Sequence, residues 1–249
     1  MEKILEVCCG SYYDAKQAYM AGVKRIELNS ALYLGGLTPS TGTLKLVKKD
    51  TNLQVITMVR PRGAGFCYLE EEYSAMKEDV NCLMENGADG IAFGILTKEK
   101  EIDKEKVKEL TDYIHSYHGS AVFHRAFDCT PDPYQAIETL IALKVDRVLT
   151  SGQKEKAFQG IDLIADLQEK YGKHIEILPG SGVYAQNVNE ILRRTKVTQV
   201  HSSCKHWLED VTTAGNEVDY GYCKEQGNNF YDVVSKESVK MMLDIMANE

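Results

Sequence analysis

The most constraining feature of this sequence is a regular alternation of short apolar segments with longer amphipathic ones. Short apolar runs bounded by turn residues are typical of strands that are covered on both faces of a parallel sheet. The pattern predicts eight strands, at Ile4–Cys8, Arg25–Asn29, Gln54–Arg60, Gly90–Phe93, Ala121–Arg125, Arg147–Thr150, Glu176–Pro179 and Gln199–Ser202.

The amphipathic segments predict one helix after each strand. They are Tyr12–Ala21, Ser40–Lys48, Glu70–Asn86, Lys104–Tyr117, Pro133–Leu143, Ala157–Tyr171, Ala185–Arg194 and Lys236–Met246. Gly87 suits a left-handed cap and Asp132 suits an N-cap. Eight strand–helix units in 249 residues predict an α/β fold, a TIM (β/α)8 barrel that forms a single domain over residues 1–249. A doubly wound sheet is the alternative, but no G-x-G-x-x-G follows a strand.

One segment departs from this rhythm. Residues 203–234 are polar, carry Gly215, Gly221 and Gly227, and separate the eighth strand from the last helix. A loop this long inside a compact domain is usually functional or mobile. We expect a long loop on the C-terminal side of the barrel, where a lid would lie.

Composition excludes several classes of function. The formal net charge of −8 argues against nucleic-acid binding, since phosphate contacts need a basic face. The N-terminus lacks the apolar core of a signal peptide, and no apolar run is long enough to span a membrane. We therefore expect a cytoplasmic protein with reduced thiols. The seven cysteines are odd in number and form no C-x2-C pair, so neither a disulfide framework nor a zinc knuckle is expected.

The fifth predicted strand carries unusual charge. Residues 120–128 read SAVFHRAFD, which begins as a buried strand and then places His124, Arg125 and Asp128 together. Ionisable groups are costly to bury unless they are paired or used, and this end of a strand is where barrels place their chemistry. We expect His124 to face the barrel axis and Arg125 to point outward as a partner of Asp128.

Period-two alternation directs further polar residues to the barrel axis. The inward set contains Glu6, Cys8, Glu27, Asn29, Arg60, His124 and His201. One interpretation is an internal ion-pair network in which Arg60 and His124 balance Glu6 and Glu27. The other is a catalytic site, with Glu27 or Glu6 as base, His124 as acid or electrophile and Arg60 binding a carboxylate or phosphate. The candidate catalytic residues are Glu6, Glu27, Arg60, His124 and His201.

Small residues follow the last three strands. Backbone N–H groups at such positions can approach an anion, and barrels often bind phosphate after strands seven and eight. Tight turns between strands and helices use the same residues. The candidate anion- or substrate-binding residues are Arg62, Ser151, Gly180, Ser181, Gly182, Ser202 and Ser203.

Several sequence blocks in a fixed order resemble the CutC family. They are LEVCC at 5–9, GGLTPSTG at 35–42, VRPRGAGFCY at 59–68, FHRAFD at 123–128, RVLTSGQ at 147–153 and VHSS at 200–203. The resemblance covers most of the chain. It implies a TIM barrel, a link to copper homeostasis and a homo-oligomer, either a dimer or a tetramer.

The resemblance also implies a metal ligand. Some members of the family carry a cysteine at the end of each of the first two strands as a Cu(I) site; here Cys8 matches the first and Asn29 stands at the second. Cys8 is the candidate Cu(I) ligand, although a lone buried cysteine often serves as a small hydrophobe. The expected function is copper-ion binding or handling. The alternative is a TIM-barrel enzyme that acts on a small phosphorylated or carboxylated metabolite by acid/base chemistry.

Overall fold

A computed structural model, which describes residues 3–223 and 226–247, confirms the predicted (β/α)8 barrel. Eight parallel strands surround the axis and helices cover the outside. The strands are β1 Ile4–Cys9, β2 Arg25–Leu28, β3 Gln54–Met58, β4 Gly90–Phe93, β5 Ser120–Phe123, β6 Arg147–Thr150, β7 Glu176–Pro179 and β8 Gln199–Ser202.

The strand order brings the two ends of the chain together. Hydrogen-bonded neighbours run β7, β6, β5, β4, β3, β2, β1, β8, so the last strand of the barrel lies beside the first. Their register pairs Glu6 with His201. The barrel is nearly closed: β7 packs against β8, and Gln199 donates a hydrogen bond to Glu176 across this seam at 3.2 Å.

The helices follow the predicted pattern, with shifted ends. They are α1 Tyr12–Ala21, α2 Thr41–Asp50, α3 Glu70–Glu85, α4 Lys104–Ser116, α5 Pro133–Ala142, α6 Ile161–Tyr171, α7 Val188–Thr195 and α8 Lys236–Ala247. α6 begins at Ile161, four residues after the predicted start. The residues before it are held in a tight turn in which the backbones of Gly152 and Gly160 touch. A Cβ on Gly160 would lie 2.1 Å from the Ser151 carbonyl oxygen. Within the described residues, no helix is long and apolar enough to cross a membrane.

Three strands end earlier than the sequence predicts, of which β2 stops at Leu28 rather than Asn29. β3 stops at Met58 rather than Arg60, and β5 stops at Phe123 rather than Arg125. Residues Arg125–Cys129 instead form a short 3-10 helix, whose first turn is capped because His124 Nδ1 accepts a hydrogen bond from the Ala126 N–H. The charged residues therefore lie beyond the ladder, at the mouth of the barrel.

The segment predicted as a long loop contains a β-hairpin. β9 Lys205–Glu209 and β10 Phe230–Val234 pair antiparallel. The hairpin is fastened to the barrel because the buried Asp14 carboxylate on α1 accepts a hydrogen bond from the Val234 N–H at 2.8 Å. Ahead of β10, Tyr222 stacks on Tyr33 with ring centroids 4.7 Å apart. The segment thus covers part of the C-terminal face as an ordered element.

The core has two parts of unequal size. Outward-facing strand residues and the inner faces of the helices form one large apolar layer. Inside the barrel, Ile56, Met58, Ala92 and Val122 form a small separate apolar cluster. Since ordinary barrel interiors are filled by branched aliphatic residues, the polar remainder of this interior is the unusual part.

Candidate metal centre in the barrel interior

The N-terminal end of the barrel interior holds a layer of paired charges. Glu6 lies 2.6 Å from Arg25 Nε and 3.9 Å from Arg147 Nη1. Arg147 also contacts Glu176 at 2.6 Å, and Arg25 donates a hydrogen bond to Gln199. The counter-charges of Glu6 are therefore these arginines, and the expectation that Arg60 and His124 balance it is wrong.

The alternation along β2 and β6 indicates that these two arginines face the barrel interior. Arg25 shares the period-two set of Glu27, and Arg147 shares that of Leu149, so both belong to the inward faces of their strands. Each opens its strand and could pass for a solvated terminal residue. Their pairing with Glu6 depends on closure of the barrel, because closure places the first residues of all eight strands around the same interior.

Above this layer, His201 lies between two carboxylates. Its Nδ1 is 2.9 Å from Glu6 Oε1, and its Nε2 is 4.0 Å from Glu27 Oε2. The contact with Glu6 follows directly from the register between β8 and β1. Sequence reasoning placed His201 on the axis but did not pair it with β1, since the two residues are 195 positions apart.

Cys8 and Asn29 complete the cluster around Glu27. The Cys8 thiol lies 3.8 Å from Glu27 Oε2, and Asn29 donates a hydrogen bond to the same oxygen at 2.9 Å. Asn29 Nδ2 is also 3.6 Å from Cys8 Sγ. One donor atom each from Cys8, Glu27 and His201 lie within 4.8 Å of one another, so a single metal ion could contact all three.

The environment shifts the pKa values of this cluster in opposite directions. Burial would raise the pKa of Glu6, but the hydrogen bond from His201 and the charge of Arg25 outweigh it and lower the pKa to about 2. Burial would lower the pKa of His201, but the Glu27 charge and the hydrogen bonds to Cys8 and Glu6 raise it well above its usual value. His201 and Glu6 thus form a charged pair at neutral pH.

The other two donors hold their protons more firmly than usual. Burial raises the pKa of the Cys8 thiol and that of the Glu27 carboxyl. Metal ligation needs a thiolate and a neutral imidazole nitrogen, so an ion that enters must displace protons from Cys8 and His201. The site is compatible with a metal that binds sulfur and nitrogen strongly enough to do so.

The chemistry of the donors narrows the kind of metal. Thiolate is a soft ligand that selects Cu(I), imidazole suits copper and zinc, and a carboxylate suits harder ions. A two-thiolate Cu(I) site does not fit, because Asn29 occupies the second position and its amide is bonded to Glu27. A copper ion held by one sulfur and one nitrogen, with Glu27 beside it, fits the residues present.

Arg60 and His124 lie at the mouth and make contacts of their own. Arg60 donates hydrogen bonds to the carbonyl oxygens of Leu34, Gly36 and Ala64 at 2.9, 3.1 and 2.7 Å. His124 is buried, and its Nδ1 accepts from Ala126. The two residues share the inward face but are not among the donors that surround Cys8, and their catalytic roles stay predictions.

The loop after β6 binds a carboxylate of the protein itself, that of Asp128. The Asp128 carboxylate accepts hydrogen bonds from Thr150 Oγ1, from the N–H and hydroxyl of Ser151, and from the Gln153 N–H. Arg125 donates to the same carboxylate at 2.9 Å, which confirms the expected pairing with Asp128. The polar groups of Ser151 are thus already bound within the protein.

The remaining anion-binding candidates are dispersed. Arg62 pairs with Glu72 outside the barrel. The hydroxyls of Ser181 and Ser202 donate to the carbonyl oxygens of Glu155 and Val183. Gly180 leaves room for His201, since a Cβ there would lie 3.3 Å from the histidine Cβ. Gly182, Ser202 and Ser203 line a cavity of about 370 Å³ beneath α8. Anion binding by these loops stays a prediction.

Comparison with known proteins gives consistent sequence matches. The model of the CutC family matches residues 3–206. A family protein CutC from Treponema denticola is 49% identical over 218 residues, which are 87% of this chain and 88% of that protein. The copper homeostasis protein cutC homolog of Homo sapiens is 41% identical over 202 residues, 81% of this chain and 73% of the human protein.

Solved structures agree in fold. The crystal structure of CutC from Streptococcus agalactiae has a TM-score of 0.76 and 34% identity, and covers 81% of this chain and 98% of its own. Phosphoribosyl anthranilate isomerase from Thermococcus kodakaraensis has a TM-score of 0.58 at 14% identity and covers 99% of this chain and 100% of its own. At that identity the isomerase shares the fold alone.

Proposed function

Because the chain belongs to the CutC family, we propose that it acts in copper homeostasis by binding one copper ion at Cys8, Glu27 and His201. The observation that carries the proposal is the convergence of a thiol, a carboxylate and an imidazole within 4.8 Å inside the barrel. The name of the human relative, copper homeostasis protein cutC homolog, supports the choice of copper as the ion.

Each residue has a distinct part in this proposal. Cys8 supplies the soft sulfur donor, and His201 offers Nε2 because Glu6 holds its Nδ1. A carboxylate on the far nitrogen of a metal-binding histidine fixes the ring and its tautomer. Glu27 supplies the third donor and is itself oriented by the Asn29 amide.

The single thiol suits exchange of the ion rather than permanent storage. Cys8 is partly exposed, whereas Glu27 and His201 are buried. A site with one thiolate offers Cu(I) fewer soft donors than a site with two, and the residue that carries this thiolate is the least buried of the three. We propose that copper is received and passed on through Cys8.

The test is a titration of the reduced full chain with Cu(I) under anaerobic conditions against a competing chelator. We expect one ion per chain, with affinity reduced at least tenfold in Cys8→Ser and in His201→Asn. Cys67→Ser is the matched control, since Cys67 is an exposed thiol outside the cluster. Equal affinity in the wild type and both cluster variants would overturn the site.

A parallel titration with Zn²⁺ identifies the ion. Imidazole and thiolate also suit zinc, so zinc is the competitor that the donor set allows. We expect Cu(I) to displace Zn²⁺ at equal free concentrations. Retention of zinc under those conditions would overturn copper as the bound ion while leaving the three ligands in place.

The cellular location and the oligomeric state of the chain bear on how it would handle copper. We propose that the chain works in the cytoplasm, where its thiols stay reduced, and that it does so as a homo-oligomer. Cell fractionation and light scattering of the purified chain test these two points. The alternative function, an acid/base enzyme acting on a small phosphorylated or carboxylated metabolite, stays a prediction that these two measurements do not address.

A further inference from the structure

A second group of polar residues meets at the opposite side of the barrel mouth. The registers of β3, β4 and β5 pair Met58 with Ala92 and Ala92 with Val122 on the inward face. Two residues further along each strand, the next inward positions are Arg60, Gly94 and His124. They lie side by side just beyond the ladder. None of the three is on β1, β2 or β8, which carry Cys8, Glu27 and His201.

Gly94 lets His124 lean toward Arg60. A Cβ on Gly94 would lie 2.5 Å from both Cε1 and Nδ1 of the His124 ring, so the ring edge occupies the space above β4. Nδ1 accepts the Ala126 N–H at 3.1 Å, which places the proton of the neutral ring on Nε2. Nε2 is buried and has no hydrogen-bond partner among the described residues.

Arg60 presents a second buried donor. Its terminal nitrogens are occupied by the three loop carbonyls, which fixes the guanidinium in place. Its Nε is buried and, in the described part of the chain, also has no hydrogen-bond partner. The Phe66 ring packs over both groups, with its centroid 5.2 Å from Arg60 Cζ and 5.0 Å from the His124 ring.

We propose that Arg60, His124 and Phe66 form a binding site for a small monocarboxylate with a short apolar tail. Two unpartnered N–H donors call for acceptor oxygens, since buried donors are nearly always satisfied. The fixed guanidinium charge favours an anion. One step deeper on the same strands lies the apolar cluster of Met58, Ala92 and Val122, which favours a short apolar tail over a second polar group.

Carboxylate fits this site better than phosphate. The two unpartnered nitrogens match the two oxygens of a carboxylate, whereas inorganic phosphate carries four oxygens and up to two charges that must all be satisfied. Arg60 can offer its Nε–H and one Nη2–H, because three of its five N–H groups are already bonded to carbonyl oxygens. The apolar cluster of Met58, Ala92 and Val122 would leave further phosphate oxygens unpaired. Entry of the ligand would displace the Phe66 ring, which therefore acts as a cover.

The test uses the metal-free full chain, labelled with ¹⁵N in histidine, and propionate as the probe. We expect the Nε2 and Nε2–H resonances of His124 to shift saturably with propionate. Propionamide, which has the same shape but no charge, should give no saturable shift, and inorganic phosphate should bind more weakly than propionate. This comparison is made on the wild-type chain and so needs no variant to fold.

A pair of variants assigns the effect to the site. His124→Phe keeps the ring but removes the donor, so we expect propionate binding, followed through the shift of the unfolding midpoint, to weaken by at least about tenfold. His174→Phe, at an exposed histidine, is the matched control. No saturable shift with propionate, an equal shift with propionamide, or tighter binding of phosphate would overturn the proposal. Making every measurement in Cys8→Ser as well separates this result from the copper site.

Discussion

At the scale of single residues, Glu6 is the point on which the interior charges converge. It contacts Arg25, Arg147 and His201, and all four side chains are buried. Breaking a buried ion pair by removing one partner leaves an uncompensated charge, which is far more costly than the pair is stabilising. Glu6 therefore supports the barrel and orients a proposed metal ligand at the same time.

Neutralising Glu6 should reveal both roles. We expect Glu6→Gln to lower the free energy of unfolding by about 3–5 kcal/mol and the copper affinity by about 10- to 100-fold. Urea unfolding and Cu(I) titration measure the two effects. Glu138→Gln, at a surface residue bonded to Tyr171, is the control. A loss of stability with unchanged copper affinity would show that Glu6 does not act through His201.

Copper affinity should depend steeply on pH. Cys8 and His201 have raised pKa values, for Cys8 because of burial and for His201 because the Glu27 charge and the hydrogen bonds to Cys8 and Glu6 outweigh burial. Both hold a proton at neutral pH that the ion must displace. The affinity should rise by about two decades per pH unit up to the lower of the two raised values. Calorimetry in two buffers of different ionisation enthalpy counts the released protons. An affinity that is independent of pH would contradict this account.

His124 should make the fold sensitive to mild acid. Burial, with Arg60 adding to it, lowers the pKa of His124 to about 3. In the unfolded chain its pKa is about 6.5, so between these values the unfolded state binds a proton that the native state does not. Stability should fall by about 2 kcal/mol from pH 6.5 to pH 4.5, above the range where Glu6 titrates. Urea unfolding across this range should give a flatter profile for His124→Phe, and equal slopes would contradict the buried neutral ring.

At the scale of elements, the sequence predicts the strands better than their ends. Gly90–Phe93 and Arg147–Thr150 have the predicted bounds because turn residues flank a short strand that is buried at every position. β3 and β5 end early because Arg60 and His124 bond to loop groups, a competition that a propensity pattern does not contain. The hairpin was missed because its strands have exposed faces and lie in a polar, glycine-rich segment.

The hairpin should depend on one carboxylate. Asp14 accepts the N–H groups of Val234 and Gly10 at 2.8 and 2.9 Å, and so joins β10 to the loop after β1. Asp14→Ala would leave the buried Val234 N–H and the half-buried Gly10 N–H unpaired. We expect the free energy of unfolding to fall by about 1–3 kcal/mol for the buried donor. We expect faster amide exchange at Val234, measured by hydrogen–deuterium exchange. Asp210→Ala, in the exposed turn, is the control, and unchanged exchange at Val234 would show that other contacts hold the hairpin.

At the scale of the whole molecule, closure of the barrel decides which residues meet. The alternation of strands and helices was enough to predict the (β/α)8 fold, because eight such units have few other arrangements. It was not enough to predict the cluster around Cys8, because His201 reaches Glu6 only when β8 lies beside β1. The alternation within one strand shows which residues face inward. Which of these residues are neighbours depends on the closure of the whole barrel.

Since the proposed ligands lie on β1, β2 and β8, bound copper should stabilise the entire barrel. An ion at a free concentration of 100 times its dissociation constant adds about 2.7 kcal/mol to the free energy of unfolding. For a chain of this size the midpoint should rise by roughly 5–10 °C. The unfolded chain exposes all seven cysteines, so excess Cu(I) would also bind there and reduce the shift. Thermal unfolding across a copper titration should therefore show a maximum in the midpoint, absent in His201→Asn, and an equal rise in that variant would place the stabilising ion elsewhere.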